Sequence, residues 1–491
     1  MNTYSGDKSA YAHFIGVGGA GMSALALVLL QRGVKITGSD MKESRYTRKL
    51  QAAGMDVCIG HDASNVGNPE IVVISTAISE EKNPELREAR RRNLPVWKRA
   101  QMLAEITKDA ATLAVAGTHG KTSTSSMLAN SLEELGKEPG FCIGGEVGAF
   151  SANAREGSGE LYVVEADESD GSFVWLKPHI AVITNLKPEH VDHYDSYEQL
   201  EQVFVDFMNR VSDDGLLVVC GDDEELLELS TQSGRPVLSY GASEHCDIRY
   251  SNFKPFTGKA GSSFSIEYEG QSYPASITLP GEHMASNATA VFAVLVSLGI
   301  DPNEAAGALG SFQGVRRRFE FVGECAGVSI VDDYGHHPTE IAATLKGAKD
   351  LDYQRIVVVF QPHRYSRTQA FEEEFGSAFD CADLIILTDI FSSGETPIPG
   401  VSGRTIVNSI LEHKPDAQVV WLPRRKNLSD YLCAHTRAGD LLITMGAGDI
   451  TGLGSEFVQD RTEREAQSMR ASKVFAAKPS KDNLVSEYDL P

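Results

Sequence analysis

The chain has 491 residues, which is too many for a single hydrophobic core and predicts two to four domains. Its 45 Lys and Arg against 68 Asp and Glu give a formal net charge of −23, which argues against nonspecific binding to nucleic acid or to an anionic membrane. The seven cysteines have neither C-x-x-C nor metal-ligand spacing, so we expect no disulfide framework and no zinc site. The N-terminal residues MNTYSGDKSAYA lack the pattern of a secretory signal, and no apolar run approaches the about 18 residues of a membrane span. We therefore expect a soluble cytoplasmic protein that is not inserted in a membrane.

Short apolar strands alternate with helical patterns along most of the chain, which predicts an α/β protein with mainly parallel sheets. The first predicted domain, residues 1–108, has strands at AHFIGV, KITGSD, IVVIS and PVW and a helix over 21–32. The segment HFIGVGGAGMS joins the first strand to that helix with the spacing Gly16-x-Gly18-x-x-Gly21. Such a loop brings backbone amides and a helix N-terminus to a pyrophosphate. Taken alone, it favours an NAD-dependent oxidoreductase, with Asp40 at the end of the second strand as the acid that contacts the ribose.

The second predicted domain, residues 109–313, opens with a different glycine loop. The segment AVAGTHGKTS places an apolar strand, Gly117, Gly120, Lys121 and Thr122 directly before a helix. Small residues let backbone amides approach phosphate oxygens, a lysine supplies charge toward the β- and γ-phosphates, and a threonine hydroxyl can ligate Mg²⁺. The strict G-x-x-x-x-G-K-[ST] pattern is absent because position 115 is Val. The alternative interpretation is a helix start with an exposed lysine, and the flanking strand and helix make the phosphate loop the better one.

Acidic and imidazole side chains follow two later strands of this domain. In VVEADESD, Glu165, Asp167 and Glu168 follow an apolar strand, so at least one carboxylate should lie at the strand's carboxyl end, where α/β sheets bind ligands. In TNLKPEHVDHY, His190 follows the strand VIT. Mg²⁺ prefers oxygen ligands, so a histidine ligand needs outside support. Each motif by itself is also compatible with a solvated acidic face or an ordinary turn histidine.

The third predicted domain, residues 314–458, has strands at VSIVDDY, RIVVVFQ, LIILTDI, QVVWLP and DLLITMG. Polar residues follow two of these strands: Tyr334, His336 and His337 follow the first, and His363, Arg364 and Arg367 follow the second. An arginine can bind a carboxylate bidentately and a histidine can steer or deprotonate an amine. The adjacent histidines near two aspartates also leave open a transition-metal site. Residues 459–491 are charged and predict a solvated helix or a disordered tail.

The motifs AGTHGKTS, EADESD, TNLKPEHVDHY, RRRFE, DDYGHHPTE, FQPHRYSRT and TMGAGDI occur in this order. Together they resemble the Mur ligases over roughly residues 12–455, and DDYGHHPTE and HRYSRT resemble the member of that family that adds L-alanine. The resemblance implies three domains: a Rossmann-like N-terminal domain that binds a UDP-sugar, a P-loop-type central ATPase domain and a Rossmann-like C-terminal domain. It implies that ATP drives the joining of L-alanine to the lactyl carboxylate of UDP-N-acetylmuramate through an acyl phosphate, in peptidoglycan precursor synthesis. The sibling that recycles murein tripeptide is the main rival.

The same resemblance implies roles for individual residues, with ATP and two Mg²⁺ ions as cofactors, UDP-N-acetylmuramate and L-alanine as partners, and a monomer or homodimer as the assembly. The glycine loop of the first domain would face the sugar nucleotide, and Asp40 would meet the uridine. The UDP-sugar residues would be Gly16, Gly18, Gly19, Ala20, Gly21, Met22, Ser23 and Asp40. The ATP residues would be Gly117, Thr118, His119, Gly120, Lys121, Thr122, Ser123, His283, Asn287, Arg318 and Asp333.

The remaining implied roles concern the metal ions, the amino acid and the chemistry. Metal ligands would be Thr122, Glu165 and His190. The amino acid would be bound by Tyr334, His336, His337, His363, Arg364 and Arg367, and the catalytic residues would be Lys121, His190, His336 and Arg364. Position 284 is Met where the family usually has Asn, which puts one polar contact in doubt. No lysine occurs between Lys187 and Lys254, so the carbamylated lysine of some relatives is not expected.

Overall fold

The computed structural model describes residues 10–75, 77–168, 171–187, 194, 196–257 and 259–476. The chain divides into two compact units, one made of Met1–Arg318 with Lys346–Asp352 and one made of Phe319–Leu345 with Tyr353–Pro491. Within the described ranges, no helix is long and apolar enough to cross a membrane. All seven cysteines fall inside these ranges and none is paired in a disulfide, as expected from their spacing.

The first unit begins with a parallel five-stranded sheet in the order β3-β2-β1-β4-β5. The strands are β1 (Tyr11–Ile15), β2 (Lys35–Asp40), β3 (Asp56–Ile59), β4 (Ile71–Ile74) and β5 (Val96–Lys98). The helices are α1 (Ala20–Gln31), α2 (Arg45–Ala52), α3 (Pro84–Arg91) and α4 (Arg99–Thr107). Strand β1 is central, and the chain builds the sheet outward from it in one direction through β2 and β3 and in the other through β4 and β5. The loop after β1 therefore lies at the switch point where such sheets bind ligands. The strands predicted at AHFIGV, KITGSD, IVVIS and PVW are confirmed, and β3 was not predicted.

A buried polar network holds this sheet to α3. The carboxylate of Glu85 accepts hydrogen bonds from the Ser39 hydroxyl at 2.6 Å and the Asn65 amide at 2.8 Å, and it also lies 3.0 Å from the His13 ring. Glu85 and His13 are fully buried. Burial alone would raise the pKa of the Glu85 carboxyl, but its hydrogen bonds to His13, Ser39 and Asn65 outweigh burial and lower the pKa below the ordinary value. The network is therefore built around an ionised carboxylate.

We expect Glu85→Gln to lower the free energy of unfolding by about 2–3 kcal/mol at pH 7, because the buried donors lose a charged acceptor. A folded-state pKa below the unfolded value stabilises the fold above the unfolded pKa of about 4.3, and this contribution is lost as the pH falls through the folded-state value. Urea unfolding between pH 3 and pH 7 measures both effects, with the exposed Glu81→Gln as the control. The same loss at pH 3 as at pH 7 would contradict the charged network.

The second sheet of this unit has ten strands in the order β15-β14-β13-β12-β11-β10-β6-β9-β7-β8. The strands are β6 (Ala111–Ala116), β7 (Gly140–Val147), β8 (Ala152–Arg155), β9 (Leu161–Glu165), β10 (Ile180–Ile183), β11 (Leu216–Cys220), β12 (Val237–Gly241), β13 (Ile248–Pro255), β14 (Ser262–Tyr268) and β15 (Gln271–Ile277). The helices are α5 (Lys121–Glu134), α6 (Tyr197–Met208), α7 (Glu224–Thr231), α8 (Glu282–Ser297) and α9 (Pro302–Leu309). Parallel pairing runs from β13 through β6 to β7, and the ends at β8 and β14-β15 are antiparallel. The carboxyl ends of β6, β9 and β10 therefore meet at one edge.

Strand β7 was not predicted, because its sequence GFCIGGEV contains three glycines, which weaken a strand pattern. The structure explains why two of these positions are glycine. A Cβ on Gly144 would lie 2.8 Å from a carboxylate oxygen of Glu165, and a Cβ on Gly145 would lie 2.8 Å from the Thr122 methyl group. The glycines therefore let this strand approach the phosphate loop closely.

The second unit contains a six-stranded sheet in the order β16-β17-β21-β18-β19-β20, parallel except for β16. The strands are β16 (Glu320–Cys325), β17 (Val328–Asp333), β18 (Arg355–Phe360), β19 (Leu384–Leu387), β20 (Val419–Trp421) and β21 (Asp440–Met445). The helices are α10 (Pro338–Lys349, of which residues 346–349 belong to the first unit), α11 (Tyr365–Ala370), α12 (Glu372–Ala378), α13 (Gly403–His413), α14 (Leu428–His435) and α15 (Leu453–Ala476). All five predicted strands are confirmed. The predicted tail is helical as far as α15 extends.

Candidate functional site

The loop between β6 and α5 has the geometry of a phosphate cradle. Gly117 and Gly120 adopt φ of +127° and +83°, and α5 begins at Lys121 with Gly120 as its N-cap. The ammonium group of Lys121 donates to the carbonyl oxygens of Gly117 at 2.6 Å and Thr118 at 3.1 Å. A helix N-terminus with a lysine in its first turn attracts phosphate oxygens. The predicted loop and helix start therefore exist as expected.

Glu168 holds Lys121 from the other side. Its carboxylate accepts a hydrogen bond from the lysine Nζ at 2.8 Å and is fully buried. Burial opposes the charged form of Lys121, but the charges of Glu168 and Asp167 raise the pKa of the ammonium above its ordinary value. The lysine is thus charged and oriented at the loop. Glu168 had only been grouped with its acidic neighbours in the sequence, and its pairing with Lys121 was not predicted.

Thr122 and Glu165 form the candidate metal position. The Thr122 hydroxyl donates to Glu165 Oε1 at 3.0 Å, and the Gly144 backbone N–H donates to Oε2 at 2.8 Å. Burial raises the pKa of the Glu165 carboxyl, against the hydrogen bond from Gly144 and the charge of Lys121. A nearby cation would stabilise the ionised form of this carboxylate and so oppose the effect of burial. Hydroxyl and carboxylate oxygens are also the ligands that Mg²⁺ takes, together with water and nucleotide phosphates.

The remaining residues of the loop are fixed by the segment after β10. Thr118 N–H donates to the Asn185 carbonyl at 3.1 Å, and His119 N–H donates to the Asn185 side chain at 2.9 Å. Thr184 Oγ1 donates to the His119 carbonyl at 2.5 Å. Asn185 thus shapes the phosphate loop, a role that was not predicted. Ser123 is partly exposed in the first turn of α5, and His190, the predicted second metal ligand, lies outside the described residues.

The first glycine loop lies between β1 and α1. Gly16 has φ of +82°, and its N–H donates to the Ser39 carbonyl at 2.9 Å. Gly18 N–H donates to Asp40 Oδ2 at 2.8 Å, so this carboxylate contacts the loop backbone directly. Gly19 is the N-cap of α1, with no neighbour closer than 4.0 Å to a Cβ built on it. The turn therefore leaves space at the helix N-terminus.

The other predicted residues of this loop lie in the first turn of α1. The Ala20 carbonyl accepts hydrogen bonds from the Ser23 hydroxyl at 2.9 Å and from Asn153 at 2.8 Å. Met22 and Ser23 are buried, whereas Gly21 lies against Arg99, whose Cδ would be 3.0 Å from an added Cβ. These contacts indicate that backbone groups, rather than the Ser23 hydroxyl, are the polar atoms this turn offers.

A cavity of about 240 Å³ within the first unit extends from the first glycine loop to the ends of β7 and β9. Its lining includes Gly19 and Gly21 from the first loop and Gly144 and Glu165 beside the phosphate loop. Arg99, at the start of α4, also lines it and lies 3.7 Å from the carboxylate of Asp167. Arg99 was not predicted because it has no recognisable motif. Only the approach of α4 to the acidic run after β9 brings it here.

The residues predicted for the base and ribose occur in both units. Asn287, on α8, approaches the phosphate loop, since a Cβ on Gly120 would lie 2.9 Å from its Oδ1. Met284 is buried, and its sulfur is 3.7 Å from the Asn287 amide nitrogen, which donates to it. His283 is exposed on the same helix turn. Met284 therefore provides a weak sulfur acceptor for Asn287 at the position where an amide was expected.

Arg318 ends the long N-terminal segment of the first unit, and Asp333 ends β17 in the second unit. The Arg318 N–H donates to the Val315 carbonyl at 3.0 Å in a turn that contains Arg317 at φ of +62°. The Asp333 carboxylate is buried and accepts hydrogen bonds from Phe319 N–H at 2.8 Å and Gly335 N–H at 2.7 Å. Asp333 therefore anchors both the start of this unit and the turn that carries the histidines.

In the second unit, the turns after β17 and β18 bring together part of the predicted amino-acid site. The ring of His336 makes edge contacts with Tyr334 at 5.4 Å and with His363 at 5.6 Å between ring centroids. Arg367 Nη1 donates to His363 Nδ1 at 3.3 Å. His337 instead packs against Phe371 at 4.5 Å, and its Nδ1 accepts from Thr339 N–H at 3.3 Å. The adjacent histidines therefore have different surroundings.

His336 is held neutral. Burial lowers the pKa of its imidazole to about 3, and the nearby charge of Glu340 only partly opposes this. Its Nδ1 lies 3.1 Å from the Tyr334 carbonyl, which can only accept, so Nδ1 carries the proton and Nε2 has a lone pair. Arg364 precedes α11 with φ of +70°. Among the described residues, no group of three or more His, Cys, Asp and Glu is arranged to hold a metal ion, which does not support a transition-metal site here.

Three family models match successive parts of the chain. Residues 11–110 match the catalytic domain of the Mur ligase family, residues 115–295 the Mur ligase middle domain, and residues 317–448 the Mur ligase glutamate ligase domain. The chain belongs to the Mur ligase family. This confirms the resemblance seen in the motifs and the three-domain α/β fold, and it favours a ligase over an oxidoreductase. The boundaries at residues 108, 313 and 458 stay predictions.

The similar proteins include two curated relatives named UDP-N-acetylmuramate--L-alanine ligase. The protein from Pelotomaculum thermopropionicum is 44% identical over 460 residues, which cover 94% of this chain and 99% of that protein. The protein from Rubrobacter xylanophilus is 46% identical over 448 residues, covering 91% and 99%. The solved UDP-N-acetylmuramate-alanine ligase of Thermotoga maritima has a TM-score of 0.79 and 28% identity, covering 92% of this chain and 99% of its own. A murein peptide ligase of Psychrobacter arcticus, with a TM-score of 0.69, 23% identity and coverage of 92% and 98%, shares the fold.

Proposed function

We propose that this protein joins L-alanine to the lactyl carboxylate of UDP-N-acetylmuramate, with ATP converted to ADP and phosphate. The observation that carries the proposal is the cavity shared by the Gly19–Gly21 turn and Glu165. A sugar nucleotide whose pyrophosphate lies at the N-terminus of α1 could extend its sugar toward the phosphate loop that begins α5. The identity to relatives of that name over nine-tenths of the chain supports the choice of substrates.

The reaction needs two displacements, because a carboxylate is a poor electrophile toward an amine. An oxygen of the lactyl carboxylate attacks the γ-phosphorus of ATP, the bond to the β–γ bridging oxygen breaks, and ADP leaves. The neutral amino nitrogen of L-alanine then attacks the acyl carbon, and the tetrahedral intermediate expels phosphate, which takes up the proton that the nitrogen loses. The charged Lys121 ammonium would stabilise the negative charge that develops on the transferred phosphoryl oxygens.

Thr122 and Glu165 would hold Mg²⁺ beside this loop, and we expect His190 to hold a second ion. When bound, Mg²⁺ supplies positive charge to the phosphate oxygens. Glu168 would keep Lys121 charged and directed at the loop, as its 2.8 Å contact indicates. In the first unit, the base and ribose of ATP would be contacted by His283, Asn287 and Arg318.

The amino acid would be bound in the second unit, with its carboxylate on Arg364 and Arg367. A pKa of about 3 makes His336 a poor base for an ammonium group, so its role would be to orient L-alanine by accepting a hydrogen bond at Nε2. Tyr334, His337 and His363 would complete the wall of this site. We further expect the enzyme to act in the cytoplasm as a monomer or homodimer.

Phosphate release tests the proposal. Purified protein with ATP and Mg²⁺ is assayed with and without UDP-N-acetylmuramate, and with L-alanine, glycine, L-serine or murein tripeptide added singly. We expect release to require both the sugar nucleotide and L-alanine. Release only with tripeptide would assign the protein to recycling instead, and release independent of the sugar would overturn the ligase reaction.

Arg99→Ala is expected to raise the KM for UDP-N-acetylmuramate by about 10- to 100-fold, because a hydrogen bond from a charged group contributes about 1.5–3 kcal/mol. Its side chain lines the shared cavity beside Gly21, where the sugar or its phosphates would pass. Initial rates at varied sugar nucleotide measure the effect. Arg90→Ala, an exposed arginine on α3 that does not line the cavity, is the matched control. An unchanged KM in Arg99→Ala would exclude this contact.

A further inference from the structure

The loop between β19 and α13 is docked onto the turn that carries His363 and Arg364. Phe391 N–H donates to the Pro362 carbonyl at 2.8 Å, and Arg364 N–H donates to the Phe391 carbonyl at 2.9 Å. The rings of Phe391 and His363 are stacked, with centroids 5.9 Å apart and planes 12° apart. The two chain segments therefore form a short parallel bridge beyond the ends of β18 and β19.

Glu395 lies in the middle of this loop, and its carboxylate reaches the start of α11. Its Oε2 accepts hydrogen bonds from Tyr365 N–H at 2.7 Å and Ser366 N–H at 3.2 Å, and its Oε1 accepts from the Ser366 hydroxyl at 2.6 Å. The chain turns back through Ser393 and Gly394, which have φ of +49° and +89°. This turn places the carboxylate on backbone amides that the helix itself leaves without partners.

The two backbone N–H groups that Glu395 holds belong to the residues directly after Arg364. A φ of +70° is unfavourable for an arginine and persists only when surrounding contacts determine it. On one side Arg364 is held through its N–H by Phe391, and on the other side the next two residues are held by Glu395. Arg367 lies on the first turn of the same helix and donates to His363. One loop thus determines the backbone from which both arginines project.

We propose that Glu395 is a positioning residue for the amino-acid substrate: it fixes the start of α11 so that Arg364 and Arg367 are oriented toward the carboxylate of the incoming amino acid. The inference rests on the function proposed above and adds to it a residue that contacts no substrate. Removing the carboxylate frees three donors and releases the unfavourable backbone of Arg364. The arginines would keep their charge but lose their fixed geometry, and a bidentate contact depends strongly on that geometry.

The test separates the two half-reactions. Formation of the acyl phosphate needs ATP and UDP-N-acetylmuramate but no amino acid, and hydroxylamine traps it as a hydroxamate. The complete reaction is followed by phosphate release at varied L-alanine. Both assays are applied to the unmodified protein, Glu395→Ala, Glu395→Gln, Ser366→Ala and the control Glu373→Ala, an exposed glutamate on the neighbouring α12.

We expect Glu395→Ala to raise the KM for L-alanine about 30-fold while hydroxamate formation stays within about twofold of the unmodified protein. Glu395→Gln can still accept hydrogen bonds and should raise this KM only about fivefold, as should Ser366→Ala, which removes one of the three donors. Glu373→Ala should match the unmodified protein. An unchanged KM for L-alanine in Glu395→Ala, or an equal loss in both assays, would overturn the positioning role.

The controls distinguish this inference from the function on which it rests. If the unmodified protein forms no hydroxamate with ATP and UDP-N-acetylmuramate, the proposed ligase reaction fails and the positioning role fails with it. If the unmodified protein is active and the Glu395 variants have the same KM for L-alanine as the unmodified protein, the positioning role fails and the proposed function stands. Should Glu395→Ala not fold, Glu395→Gln and Ser366→Ala decide the question, because each keeps most of the contacts at the helix start.

Discussion

Replacing Lys121 by alanine is expected to lower phosphate release that depends on the sugar nucleotide and L-alanine by about a thousandfold or more. The ammonium group lies at the N-terminus of α5 and is fixed by two loop carbonyls and by Glu168. No other charged group of the described phosphate loop occupies this position. The negative charge that develops on the transferred phosphoryl group would then lack its nearest fixed cation.

The substitution also removes the partner of a buried carboxylate, so activity and stability must be measured together. Lys121→Ala alone should lower the thermal unfolding temperature, because Glu168 is left buried without its cation. Combining it with Glu168→Gln should recover much of the stability and none of the activity. Lys137→Ala, an exposed lysine beyond the end of α5, is the control. Activity within tenfold of the unmodified protein in a folded Lys121→Ala variant would contradict the role of this lysine.

Gly117→Ala is expected to lower the free energy of unfolding by about 2–5 kcal/mol and to disable the phosphate loop. Gly117 has φ of +127°, and an added Cβ would lie 2.2 Å from Thr184 Oγ1 and 2.9 Å from the Asn185 carbonyl oxygen. These neighbours also hold the Thr118 and His119 backbone. The methyl group would therefore displace the turn whose carbonyl oxygen orients Lys121.

Gly136→Ala is the matched control for the steric effect. Gly136 follows α5, has φ of +68°, and an added Cβ would meet nothing within 4 Å. Its replacement retains the cost of a positive φ without the clash, so we expect a loss of about 1 kcal/mol and full activity. Urea unfolding gives both free energies, and phosphate release gives both activities. Equal effects at the two positions would show that backbone strain, rather than close packing against Thr184, explains the glycine in the loop.

The acidic run after β9 shows where sequence reasoning stops. The motif VVEADESD predicts carboxylates at the end of a strand, and three of them are there. The structure gives each a different partner: Glu165 meets Thr122, Asp167 meets Arg99, and Glu168 meets Lys121. Beyond the end of a strand the side chains no longer alternate regularly, so their directions depend on which elements pack nearby.

The surroundings of the two histidines after β17, in the predicted amino-acid site, also could not be predicted from the sequence. Both residues were predicted to bind the amino acid, because they follow a strand whose carboxyl end faces ligands. In the structure His336 packs against Tyr334 and His363, whereas His337 packs against Phe371 on another element. Sequence position alone cannot distinguish two adjacent side chains that leave an irregular turn in different directions.

The sequence by itself determined the α/β alternation and many of the strands, the two glycine loops and the family, because these depend on local hydrophobic pattern, on glycine and lysine spacing and on motifs in order. The tertiary structure alone decided that Arg99 reaches the cavity beside Glu165, that the glycine-rich β7 packs against the phosphate loop, and that Glu395 holds the start of α11. Each of these contacts joins residues far apart in the chain. Such contacts form where elements pack together, and no local spacing of residue types encodes them.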